Sequence, residues 1–158
     1  MRYKIVALFF FFVFCKITFA YDILEVRNLF YSSVENSSKA NDFIMYLGKL
    51  SEKDNPEIKA YSGMGYMLLA KHAFNPYNKL ANFNKGKELL ETAISADPGN
   101  VELRFLRFSV QTNAPFFLGY SGKVQEDEKV IKLGYASIQD QDLRNRIRVF
   151  FKESNLTL

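Results

Sequence analysis

Few side chains in this 158-residue sequence can do chemistry: it has one His and one Cys, and no Trp. The imidazole is His72. Projected on a helix, His72 falls in line with Tyr61, Gly65 and Leu68 on an inward face. That position suits either a hydrogen-bonded residue at the edge of a core or a base or ligand beside a cleft. Arg104, Arg107 and Gln111 form a second group, spaced i, i+3 and i+7 along one helical stripe. The rest of that helix is almost wholly apolar, with Val101, Leu103, Phe105, Leu106, Phe108 and Val110, so the helix is expected to be central. Guanidiniums on a central helix need partners, because an unpaired buried charge is strongly disfavoured. Glu88, Glu91 or Asp97 can supply them internally. Alternatively the stripe presents two guanidiniums to a ligand carboxylate or phosphate, with Lys71 and Asn75 facing the same space and Tyr77 beside His72.

Other reaction centres lack their sequence signatures. No Gly-x-Ser-x-Gly elbow, His-Glu-x-x-His pair, calcium loop, Walker loop or dinucleotide fingerprint occurs. Gly63 and Gly65 lie inside a helical pattern rather than after a strand, so they read as packing positions. A zinc site normally converges three or four Cys, His or carboxylate ligands, and a single His gives it little to build on. No metal and no cofactor is expected, and the sequence reads as that of a non-catalytic protein.

The first twenty residues differ in kind from the rest. Arg2 and Lys4 precede an apolar run from Ile5 to Cys15, and Lys16 and Thr18-Phe19-Ala20 follow. Basic start, short apolar stretch and small residues before a cut are the parts of a secretory signal, with cleavage expected after Ala20. The run is shorter than the roughly 20 apolar residues that span a bilayer, so no stable membrane span is expected after cleavage. Residues 1–20 carry three of the 21 bases and no acid, so residues 21–158 hold 18 bases against 17 acids. The net charge of +4 thus falls to +1, and the suggestion of a nucleic-acid or anionic-membrane partner goes mostly with the signal; no nucleic-acid partner is expected. Cys15 also lies in this segment, so the remainder has no thiol for disulfides, nucleophilic attack or metal binding. The expected destination is the periplasm or the exterior of a bacterial cell.

The elements that must position His72 and the arginines are helices, since no period-two alternation is sustained anywhere. About seven are expected in antiparallel pairs, forming one all-α domain over 21–158: near 22–34, 39–50, 56–74, 83–96, 101–112, 123–133 and 140–152. Asn55 can cap the third, with Pro56 at its first position, and Asn100 can cap the fifth. The stretch 74–82, which includes Asn75-Pro76-Tyr77, reads as an irregular loop.

Gly86, Leu90, Ala93 and Pro98, following Tyr61 and Gly65, resemble one degenerate tetratricopeptide repeat. The interval from Gly65 to Gly86 is 21 residues, against about twelve in the usual pattern, and the surplus falls in 74–82. The resemblance implies right-handed stacking of helix pairs and a concave face that binds a protein or peptide. Ala70–Tyr77, Glu102–Arg107, Gln111–Pro115 and Leu118-Gly119-Tyr120 also resemble a family of short exported bacterial proteins without an assigned activity. The expected function is therefore that of an exported, non-catalytic helical-repeat module with a protein or peptide partner in the envelope. The alternative is a small-ligand or anion-binding protein, a hydrolase among the options, that uses Arg104, Arg107, Gln111 and His72 beside the 74–82 loop. No motif names the partner or the oligomeric state.

Overall fold

The computed structural model describes residues 21–50 and 54–158; the signal segment expected at 1–20 lies outside the described residues. Seven α-helices are present among the described residues, and no strand. They are α1 (Ile23–Ser33), α2 (Ser37–Lys49), α3 (Pro56–His72), α4 (Pro76–Ala96), α5 (Val101–Asn113), α6 (Val124–Tyr135) and α7 (Gln141–Glu153), with a 3-10 turn at Phe116–Leu118 between α5 and α6. Six of the seven begin on an Asn or Asp whose side chain accepts a hydrogen bond from a backbone amide of the first turn: Asp22, Asn36, Asn55, Asn75, Asn100 and Asp140. Each such cap satisfies amides that the helix cannot satisfy itself, which sets where the helices start.

Most of the expected loop at 74–82 is helix, from Pro76 onward. Asn75 accepts from the Tyr77 amide at 2.8 Å, Pro76 occupies the first turn, and α4 runs unbroken for 21 residues. The surplus between Gly65 and Gly86 is thus mainly extra helix rather than an enlarged turn. Asn75-Pro76 repeats the Asn55-Pro56 start of α3, which is the signal that marks this boundary.

The helices pack α1 on α2, α2 on α3, α3 on α4 and α5 on α6, each with its neighbour in sequence. The closest approach is between α3 and α4. A Cβ on Gly63 would sit 2.7 Å from the Gly86 carbonyl oxygen, and one on Gly86 would sit 2.6 Å from that of Gly63. Gly65 performs the same service on the other side of α3, where Ile44 and Phe43 of α2 press against it.

Two apolar clusters result. The larger joins α1 to α5 and includes Val26, Phe43, Tyr61, Leu90 and Leu106. The smaller joins α5 to α6 and α7 through Phe105, Phe108, Ile131, Ile147 and Phe151. α5 is the wall they share. At 100° per residue, Leu103, Leu106 and Val110 face the first cluster and Phe105 and Phe108 the second. The two seams left between these faces carry Glu102 on one side and Arg104, Arg107 and Gln111 on the other.

Candidate functional site

Both seams of α5 are closed by the chain's own charges. Arg107 is 3% exposed and forks onto Asp127 of α6, its Nε donating to Oδ2 and its Nη2 to Oδ1, both at 2.7 Å. Its Nη1 donates to Glu91 Oε2 of α4 at 2.7 Å. Arg104 donates from Nη1 to Glu126 Oε1 at 2.6 Å and Asp127 Oδ1 at 3.0 Å, and from Nε to the Pro98 carbonyl at 2.8 Å. Of the partners foreseen, only Glu91 serves; Glu126 and Asp127 come from α6. Burial opposes the charge on Arg107, but its hydrogen bonds to Asp127 and the nearby Glu91 outweigh that, and the guanidinium is held more firmly protonated than usual. Gln111, 4% exposed, leaves its Oε1 without a protein partner.

The opposite seam holds a second buried pair. Arg27 of α1 meets Glu102 with two hydrogen bonds, Nε to Oε1 at 2.7 Å and Nη2 to Oε2 at 2.6 Å. The Tyr61 hydroxyl adds a third bond to Oε1 at 2.7 Å, and Asp140 accepts from Arg27 Nη1 at 2.6 Å. Burial, then the charge of Glu102, pushes the Tyr61 phenol well above its ordinary range, so it stays a donor. Neither Arg27 nor Glu102 stands out in the sequence. They lie 75 residues apart, and Glu102 reads locally as an ordinary first-turn acid.

His72 sits apart from the arginines, at the C-terminal end of α3. It lines a groove of about 320 Å³ together with Ser37 and Asn41 of α2, Leu69 and Ala73, and Asn78, Ala81 and Asn82 of α4. Its Nε2 is buried and has no hydrogen-bond partner in the protein. Three carboxamides therefore surround the mouth, each with an acceptor and donors. Such a groove offers hydrogen bonds to a neutral polar ligand or an extended peptide backbone, and no charge to either.

The other expected site residues do not join it. Lys71 donates to the Val34 carbonyl at 2.9 Å and to Glu35 at 2.7 Å, tying the end of α3 to the α1–α2 turn. Asn75 is the cap of α4. Tyr77 is 84% exposed and is not among the residues lining the groove. Lys71, His72, Asn75 and Tyr77 cluster near one end of the fold, whereas Arg104, Arg107 and Gln111 lie on another helix, where the two arginines reach α4 and α6. Ser37, Asn41, Asn78 and Asn82 were missed because they converge only in space. A second shallow groove, about 350 Å³, is lined by Tyr135, Gln141, Arg144, Asn145 and Arg148. Its two guanidiniums enter no ion pair among the described residues; Arg144 lies over the Tyr135 ring, 5.3 Å from its centroid.

Among the described residues no group of three or more His, Cys, Asp or Glu could hold a metal ion, and no helix is long and apolar enough to cross a membrane. The chain has no significant match to a family model, a curated protein or a solved structure.

Proposed function

We propose that this chain is an exported, non-catalytic helical module of the tetratricopeptide kind, which binds an extended segment of a protein partner in the bacterial envelope through the groove at His72. The carrying observation is the unpartnered, buried Nε2 of His72 in a groove ringed by Asn41, Asn78 and Asn82. A buried polar atom without a partner is costly, and a ligand that supplies the missing bond recovers that cost. Carboxamides match the alternating donors and acceptors of a peptide backbone, while the uncharged lining discriminates against free anions. Right-handed stacking of the helix pairs is part of this reading. It draws support from the Gly63–Gly86 approach, from Leu90 and Ala93 buried in the shared core, and from Pro98 just beyond the end of α4.

Anion recognition is the second reading, and the observation that favours it is the Arg144 and Arg148 pair at the groove on α7. Arg104 and Arg107 favour it less, since the bonds they make run to internal acceptors.

A photo-reactive residue placed at Asn78, with Lys129 on α6 as the control position, tests the first reading in expressing cells. The expected result is a protein adduct formed from position 78 alone and lost when Asn41 and Asn82 are both replaced by Ala. The same adducts from both positions, or an adduct that persists in the double variant, would sink it.

A further inference from the structure

Five large apolar side chains stand bare at one end of the helical stack: Phe74 is 103% exposed, Phe116 91%, Tyr77 84%, Phe117 82% and Leu80 50%. They come from two segments that packing brings together. Four residues, Asp97–Asn100, join α4 to α5, so the C-terminal end of α5 returns towards the start of α4. Leu80, Lys87 and Glu91 share one stripe of α4, spaced i, i+7 and i+11. Tyr120 covers that stripe. Its hydroxyl donates to Glu91 Oε1 at 2.6 Å, its ring lies 5.1 Å from the Lys87 ammonium, and it packs edge-on to Phe83 at 5.8 Å. Tyr120, two residues beyond the 3-10 turn, thus ties that turn to the flank of α4 on which Leu80 lies. The groove at His72 opens on the opposite flank, through Asn78 and Asn82, so the aromatic end is a separate surface.

The segments that supply these rings carry bases only. No acid occurs from Ile58 to Lys87 or from Leu103 to Gln125, the two stretches that supply the exposed rings. Of the lysines that flank them, Lys71 and Lys123 are paired with Glu35 and Glu126, and Lys79 enters no ion pair among the described residues. Glu35, at the neighbouring α1–α2 turn, is held by Lys71 at 2.7 Å. Phe74 lies on the α3–α4 turn, Tyr77 in the first turn of α4, and Phe116 and Phe117 on the 3-10 turn, and none of them lines either groove. Bare aromatic tips on acid-free segments, with the unpaired Lys79 among them, match the interfacial layer of an anionic bilayer. That layer takes aromatic rings at the level of the headgroups and attracts lysine through the lipid phosphates.

We propose that this end of the fold docks on an anionic phospholipid surface, with Phe74, Tyr77, Phe116 and Phe117 entering the headgroup layer and Lys79 pairing with lipid phosphate. The docking stands on different residues from the groove at His72 and survives or fails independently of it.

The chain has no Trp, so a single introduced Trp reports its own position. Phe74→Trp and Phe117→Trp place it at the aromatic end, and Leu133→Trp places it on α6 at a site that is also bare, 75% exposed. The full chain is mixed with phosphatidylglycerol vesicles and with phosphatidylcholine vesicles, each with and without brominated acyl chains. The expected result is a blue shift and quenching by brominated lipid for Phe74→Trp and Phe117→Trp on the anionic vesicles. The effect should weaken with salt and on neutral vesicles, and Leu133→Trp should not respond. Because all three chains carry the same first twenty residues, a contribution from that segment is common to them. Unshifted emission from both positions 74 and 117, or an equal response from position 133, overturns the proposal. So does a blue shift that grows with protein concentration without vesicles, which assigns the patch to a second copy of the chain.

Discussion

Arg107 and Asp127 meet in a two-point fork across α5 and α6, with both N–O distances at 2.7 Å and the Asp127 side chain wholly shielded from solvent. The geometry is that of a charge pair made to satisfy itself: Arg104 occupies a further position on Asp127, and Glu91 takes the last direction from Arg107. Breaking such a pair from one side leaves a buried charge without a partner, at a cost of about 3–5 kcal/mol. Asp127→Ala should therefore lose most of the stability of a fold this size in urea unfolding monitored by circular dichroism. Replacing Arg104, Arg107 and Asp127 together by apolar residues of similar volume should cost far less. A small loss in the single variant would show that the pair is not the closure of that seam.

The glycines give predictions of opposite sign. Gly63→Ala drives a methyl group against the backbone of α4, where the Gly86 carbonyl has no flexible side chain to move aside. Overpacking of this kind costs about 1–3 kcal/mol, so the melting temperature should fall by several degrees. Gly48, in the last turn of α2, lies on the exposed side, and a methyl group added there would meet nothing within 4 Å. Gly48→Ala should stabilise by about 0.5–1 kcal/mol through the unfolded chain and helix propensity. If both variants shift the melting temperature in the same direction, the α3–α4 approach is looser than described.

Stability should narrow at both ends of the pH scale. Hydrogen bonds from Lys123 and then Arg104 lower the Glu126 carboxyl from 4.5 to about 2. The carboxylate is thus favoured in the folded state, and its contribution is present above pH 4.5 and lost as pH falls towards about 2. Tyr31 and Tyr46 are raised to about 12, chiefly by burial, and Tyr61 and Tyr120 are raised further by burial and by carboxylates that accept hydrogen bonds from their hydroxyls. Here the neutral form is favoured by folding, so its contribution is complete below pH 10 and declines as pH rises through 12. A phenolate absorbance titration should therefore show Tyr61 and Tyr120 ionising only as the helices open. Ionisation of all tyrosines in one step near pH 10 would contradict these environments.

The limits of reading the sequence follow the same physics. Local signals read well: the Asn55-Pro56 start and the Asn100 cap both occur where the residue pattern places them. Residues 76–82 misread because Asn, Pro and Tyr are indifferent helix formers or worse. The helix is held there by a cap and by Phe83 and Gly86 packed further along, a tertiary effect that overrides propensity. The need of Arg104 and Arg107 for partners was legible in a single helix. Their identity was not, because Glu126 and Asp127 reach them only through the turn of the chain from α5 back along α6. The groove is less legible still, since Ser37, Asn41, His72, Asn78 and Asn82 come from three helices and none is distinctive in its own context.

That convergence yields the last prediction, which separates binding from stability. Asn41 and Asn78 are exposed and Asn82 is half-buried; Asn41 donates to the Ser37 carbonyl at 2.9 Å within its own helix, and the others make no side-chain hydrogen bond among the described residues. Surface substitutions of this kind usually change stability by no more than about 0.5 kcal/mol. Asn41→Ala with Asn82→Ala should therefore leave the urea midpoint nearly unchanged while abolishing the cross-link formed from position 78. Arg104→Ala should do the reverse: it removes bonds to Glu126, Asp127 and the Pro98 carbonyl, so the midpoint falls, yet under folding conditions the groove and its cross-link persist. Loss of cross-linking in Arg104→Ala at full helical content would place the binding surface on α5 and overturn the assignment to the groove.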